Sequence, residues 1–138
     1  MSPNEIRVVA AVVQRADKYM VCQRPWTKRH GGLWEFPGGK IEGSESDSDA
    51  LARELLEELG VTVTRVDRPH LSLRDPNSPF LIVFLPVEIT GEPSPHEHLD
   101  LRWASIYELA RFDLAPSDRA FVNHLVRCGQ AADCDGLL

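Results

Sequence analysis

Three glutamates, Glu54, Glu57 and Glu58, stand within five consecutive positions. The stretch around them reads as a helix. Ser46 is a natural N-cap, and Asp49, three residues on, completes a capping box. Asp47 and Asp49 put negative charge at the helix's positive end, and Gly60 supplies the stop. Wound at about 100° per residue, Leu51, Leu55 and Leu59 form an apolar line with Ala52 and Leu56 beside it. Glu54, Glu57 and Glu58 fall on the opposite side within roughly 100° of arc. Carboxylates that close repel one another at neutral pH. Such a face is either fully solvated or holds a cation, and spacing alone leaves both open. A hard divalent cation takes oxygen ligands, which these side chains supply.

Elements on either side must position that face. Ile6 to Val13 is rich in β-branched residues and reads as a buried strand. Asp17-Lys18 marks a turn, with Tyr19 to Gln23 as partner strand. Pro25 to Gly32 is a loop carrying Lys28, Arg29 and His30, either a solvated loop or one that contacts phosphate or base at a cleft mouth. In Trp34-Glu35-Phe36-Pro37-Gly38-Gly39, the two aromatics alternate about a strand, one for a cleft and one for the core. The paired glycines allow close backbone approach. Val61 to Val66, Phe80 to Val87 and Leu101 to Ala104 read as strands, with 75–79 as a loop and Thr90 to Leu99 as a long polar one. Ser105 to Leu109 starts a short helix. Ser117 to Arg127 is a terminal amphipathic one, with Phe121, Leu125 and Val126 inward. Strands before and after a central helix, with a helix at the end, give a mixed α/β domain in three layers.

The chain has 138 residues, enough for one domain with a real core. No apolar run reaches membrane-spanning length, and the start lacks a secretory signal. The three cysteines, Cys22, Cys128 and Cys134, lack metal spacing and read as free thiols in a reducing cytoplasm. The net charge of −6 argues against broad nucleic-acid binding. It leaves room for a small triphosphate whose charge a bound cation offsets.

From Gly39, five residues lead to Glu45 and seven more to Arg53-Glu54-Leu55-Leu56-Glu57-Glu58-Leu59-Gly60-Val61. This pattern resembles the Nudix box at every defined position, and the likeness extends over roughly residues 5 to 128. The resemblance implies a Nudix fold, an α/β/α sandwich with a central mixed sheet. It implies a single domain over 1–138, with 131–138 as a frayed tail. It also implies a divalent metal, Mg²⁺ with Mn²⁺ as a substitute, held by Glu54, Glu57, Glu58 and the carbonyl of Gly38. Glu97, within His96-Glu97-His98, matches a loop carboxylate that reaches the same metal. The His-x-His pattern lacks a third nitrogen or sulfur ligand for zinc. Arg53 is expected to orient Glu57, the candidate general base, and Glu45 to play a supporting part.

The approach to the box resembles the MutT-type branch, which acts on oxidised nucleotides such as 8-oxo-dGTP. By that likeness Arg24, Gly39 and Lys40 contact substrate, Phe36 lines a base pocket, and Asp118 in Leu114-Ala115-Pro116-Ser117-Asp118 reads the base. The well-known bacterial MutT enzymes carry asparagine where Asp118 stands. CTP pyrophosphohydrolases carry Leu-Ala-Pro-x-Asp and a His-Glu-His, as here. An ionised Asp accepts two donors from guanine N1 and N2, whereas cytosine N3 requires a protonated partner. Asp118 also fits the N-cap of the last helix.

The expected activity is Mg²⁺-dependent hydrolysis of nucleoside triphosphates to monophosphate and pyrophosphate, on 8-oxo-dGTP first and a cytidine nucleotide second. Rivals are a dinucleoside polyphosphate or nucleotide-sugar hydrolase, an RNA 5′-end processor and a non-catalytic nucleotide sensor. The expected partner is a small nucleotide, with no nucleic acid or membrane, bound by a cytoplasmic monomer or weak homodimer.

Overall fold

The computed structural model describes residues 4–130. The tail expected at 131–138 lies outside them, as does Cys134. Strand β1 (Ile6–Val12) runs parallel to β8 (Phe80–Thr90) and antiparallel to β5 (Gly38–Lys40). On its other side β8 pairs with β6 (Thr62–Val66) and with β7 (Leu71–Arg74), both antiparallel. A second sheet joins β2 (Gln14–Arg15), β3 (Lys18–Gln23) and β4 (Trp34–Glu35), with β9 (Asp100–Ser105) on β3. The expected mixed α/β fold with its mixed sheet is present, and a second, antiparallel sheet accompanies it. Helices α1 (Asp47–Leu59), α2 (Ile106–Leu109) and α3 (Pro116–Gln130) complete the fold.

Alternation along β1 explains the layers. Val9 and Ala11, followed by Val13, face a core that receives Leu51, Leu55 and Leu59 of α1. Ala10 and Val12 point the other way, into a second core with Phe84, Phe121, Val122 and Leu125. Successive strand side chains point to opposite faces, so one strand supplies both cores and α1 and α3 cover opposite sides.

The α1 caps form as the sequence requires. Ser46 Oγ accepts the Asp49 N–H at 3.0 Å, Asp49 reaches back to the Ser46 N–H, and Gly60 is left-handed at φ 69°. Several expectations need correction. Leu56 is 58% exposed and Ala52 is also exposed, because the buried arc is centred on Leu55. Trp34 and Phe36 do not take opposite faces of the strand. They are two positions apart and point the same way, both packing in the Phe121 core, while Glu35 points to the other side. β7 was not foreseen, and β8 extends to Thr90 into the stretch expected to be loop. Cys22 is free and buried, but Cys128 is disulfide-bonded, not a free thiol. Among the described residues no helix is long and apolar enough to cross a membrane.

Candidate active site

The acidic helix face is not uniform. On the helical wheel Glu58 lies only about 20° from Leu51, so it is drawn down with the apolar line and is buried. Glu54 is one turn earlier, and its carboxylate lies against Gly39: a Cβ on that glycine would come within 2.5 Å of it. Glu57 points outward, with its side chain 56% exposed. Burial first, and then a hydrogen bond and charge repulsion from Glu54, raise the Glu58 carboxyl far above its ordinary value, with Glu35 and Glu97 adding to the repulsion.

Arg53 answers part of that charge, though not as expected. Its Nε donates to Glu45 Oε2 at 2.7 Å and its Nη2 to Glu45 Oε1 at 3.0 Å. Nη1 donates to Glu54 Oε1 at 2.7 Å, and Glu57 is left at 4.0 Å. The arginine therefore orients Glu54 rather than Glu57. Glu45 precedes the helix in the loop and reaches Arg53 from there, where it also accepts the Glu42 N–H. These bonds, Arg53's first, hold Glu45 down at about 2. Nη2 also donates to the Lys40 carbonyl, tying the helix to the glycine strand.

The 94–99 loop docks on the C-terminal end of α1. Ser94 N–H donates to the Leu59 carbonyl and His96 N–H to that of Glu58. The two histidines do not converge: His96 faces the Glu57 carbonyl, while buried His98 bonds Glu35 Oε2 at 2.9 Å and lies 3.8 Å from Glu58. Glu97 itself is exposed. Among the described residues no three His, Cys, Asp or Glu side chains are gathered around one point as ion ligands. The donor chemistry nevertheless fits a hard divalent cation. Glu54 and Glu58 are crowded carboxylates with too little positive charge nearby, which is the deficit such an ion makes good.

Beside this end lies a cavity of about 210 Å³ lined by Arg24, Phe36, Gly38, Gly39, Lys40 and Asp118, among others. All the residues expected to contact substrate thus face one space. It adjoins the helix through Gly39. Gly38 permits the close approach of β5 to β1, since a Cβ there would sit 1.9 Å from the Val9 carbonyl. Arg24 is held by Glu35 at 2.7 Å and by the Arg29 carbonyl. Lys40 lies over the Phe80 ring at 5.3 Å. Phe36 is only 2% exposed and packs edge-on against Phe84 and Phe121, so most of its ring belongs to the core.

Asp118 is not an N-cap. It lies in the first turn of α3, buried, and its Oδ1 accepts the Phe36 N–H at 2.9 Å. Burial, with repulsion from Glu35, pushes its carboxyl well above the usual aspartate value, against the pull of that hydrogen bond, its own N–H and Arg24. Sequence reasoning missed Glu35, which bridges Arg24 and His98, and Asp75, which lines the cavity. An acidic residue between two core aromatics was the available sign for Glu35. Asp75 sat in a turn-forming run, where aspartate is ordinary.

The model of the NUDIX domain matches residues 4–125. A CTP pyrophosphohydrolase of Escherichia coli is 39% identical over 82% of this chain and 85% of its own length. The 8-oxo-dGTP diphosphatase of the same organism is 35% identical over 90% and 98%. The solution structure of the E. coli ORF135 protein superposes with a TM-score of 0.77 at 37% identity, covering 94% of this chain and 95% of that one.

Proposed function

This chain belongs to the Nudix family, hydrolases that use divalent metal, and from that premise we propose that it is a Mg²⁺-dependent nucleoside triphosphate pyrophosphohydrolase. Water attacks within the phosphate chain, one P–O bond breaks, and a nucleoside monophosphate and pyrophosphate leave. The observation that carries this reading is the polarity of the cavity. Arg24 and Lys40 offer positive charge to a phosphate chain, Asp118 offers a buried polar group to a base, and Gly39 joins both to the Glu54 carboxylate.

Glu54 and Glu58, with Glu57, Glu97 and the Gly38 carbonyl, are the groups to hold the ion. When bound, that ion neutralises phosphate charge and makes water a better nucleophile. Arg53 fixes the Glu54 carboxylate and, through Lys40's carbonyl, its height above the glycine strand. Gly38 lets β5 pack onto β1 and Gly39 lets the Glu54 carboxylate reach the strand, where a side chain at either position would collide. Glu57, more than half exposed and 4.0 Å from Arg53, is also the group to take a proton from water. The chain works as one domain in the cytoplasm, with no nucleic acid or membrane required.

8-oxo-dGTP is the first substrate, in keeping with the name of one relative. A second reading, a cytidine nucleotide, is favoured by the upward push on Asp118. A protonated carboxyl donates as well as accepts, and so matches cytosine N3 and its amino group together. The test is pyrophosphate release with Mg²⁺ from 8-oxo-dGTP, dGTP, dCTP, CTP, a dinucleoside polyphosphate and ADP-ribose. Preference for 8-oxo-dGTP over dGTP supports the first reading, and preference for a cytidine nucleotide the second. No release from any triphosphate by folded protein overturns both.

A further inference from the structure

The cavity has a second buried carboxylate, remote from α1. Asp75 follows β7 at the turn into β8, where its N–H donates to the Phe80 carbonyl at 2.9 Å. Its Oδ1 accepts the Ser117 hydroxyl at 2.7 Å, and its Oδ2 accepts the Ser78 hydroxyl at 3.1 Å. An Arg29 guanidinium nitrogen lies 3.4 Å from Oδ2. These partners belong to three segments: α3, the β7–β8 turn and the 25–32 loop. Arg29, with its side chain 47% exposed, lines the cavity alongside Asp75, Phe80 and Asp118.

Burying a carboxylate is expensive, and a well-packed apolar contact would hold the hairpin to α3 as firmly. What the carboxylate adds is direction: Oδ1 takes the Ser117 hydroxyl, and Oδ2 faces Arg29 and the Ser78 hydroxyl, which also lies 3.0 Å from the Asp75 carbonyl. Ser117 is the residue before Asp118, so the Asp75–Ser117 bond fixes the turn that aims Asp118 into the cavity. On the other side the same carboxylate holds Arg29 against the wall that Phe80 continues.

We propose that Asp75 is a specificity-determining positioning residue: by tying Ser117, Ser78 and Arg29 to one carboxylate it sets the shape of the cavity around the base and the aim of Asp118. This rests on the reading of Asp118 as the group that meets the base. The phosphate end is positioned separately, by Arg53 and the glycine strand, so loosening Asp75 alters discrimination between bases more than it alters turnover.

The experiment is steady-state kinetics of the full chain, with Mg²⁺, on 8-oxo-dGTP, dGTP, dCTP and CTP, for wild type, Asp75→Asn and Ser117→Ala, with a thermal melt of each. The expected result is a change of about tenfold in the kcat/KM ratio between the best and the next substrate. It should arise in KM, with kcat on the best substrate kept within about threefold. Ser117→Ala, which removes one hydroxyl and leaves the charge, should move the ratio in the same direction by less. A purely structural Asp75 would lower the melting temperature and scale all substrates alike, and an unchanged ratio in folded variants overturns the proposal. Should Asp75→Asn not fold, Ser117→Ala decides in the same way. A wild-type chain inactive on every triphosphate would overturn the underlying reading, and the proposal with it, in a distinguishable manner.

Discussion

At the α1 end of the site the charged groups come mostly from one short stretch and range from buried Glu58 to exposed Glu57, whereas at the Asp118 end they come from distant segments around the buried Asp118 and Asp75. Arg53, Glu54 and Glu45 lie within ten consecutive positions, and Glu57 is more than half exposed. Asp118 and Phe36 are 82 positions apart, and Asp75 and Ser117 are 42 apart. The difference follows from what each end must do. Carboxylates that receive a cation must be able to exist as anions, which solvent favours at Glu57, Arg53 favours at Glu54, and the cation itself would favour at buried Glu58. A group that reads a base must exclude water, because only a desolvated hydrogen bond penalises the wrong partner. The α1 end should therefore be rich in chemistry and poor in stability, and the Asp118 end the reverse.

Glu57→Gln tests the first half most severely. Turnover should fall by about 10²- to 10⁴-fold, the range for loss of a proton-accepting group. The melting temperature should hardly move, since the side chain is exposed and its arginine contact is long at 4.0 Å. Stopped assays for pyrophosphate and a thermal melt on one preparation decide it. Near-normal turnover by folded protein would remove Glu57 from the mechanism and shift attention to Glu54.

Phe36→Ala tests the other half. Its ring is held edge-on by Phe84 and Phe121 in the core beneath α3. Removing it should cost about 3–5 kcal/mol of stability, as large-to-small core changes do. Denaturant unfolding measures this directly. A loss under about 1 kcal/mol would mean that the ring is a pocket wall rather than a core member, and the contrast between the two ends would weaken.

The same contrast governs what could be read beforehand. The α1 caps, the Leu51–Leu55–Leu59 line and the box were legible because helix periodicity and motif spacing are local properties. β1 and α3 were legible for the same reason. Even there, three-dimensional context decided details: Glu58's proximity to Leu51 on the wheel buries it, and Glu45's position ahead of the N-cap gives it Arg53. β7 escaped because Leu71–Arg74 is short and half exposed, and only its pairing with β8 makes it a strand. Asp75 and Glu35 escaped because their roles are defined by partners far along the chain. No periodicity records that Glu35 joins Arg24 to His98.

The smallest effect is the most diagnostic. Burial raises the Asp118 carboxyl well above its ordinary value, so the folded state holds this proton to higher pH than the unfolded chain does. A raised acid contributes stability that is fully present below the unfolded aspartate value and is lost as pH rises through the folded one. Asparagine at this position cannot ionise and can still accept the Phe36 N–H. Asp118→Asn should therefore gain stability relative to wild type as pH rises from about 5 to about 9, a window above the ordinary aspartate value. Parallel melts of the two proteins across that range measure the gap directly. A gap that does not change with pH would mean that Asp118 ionises in the folded protein as it does in the unfolded chain, with the Phe36 N–H and Arg24 fully offsetting its burial. In that event the Asp118 end would carry a fixed anion, as the α1 end does, and the donor edge of guanine would be its better match than cytosine.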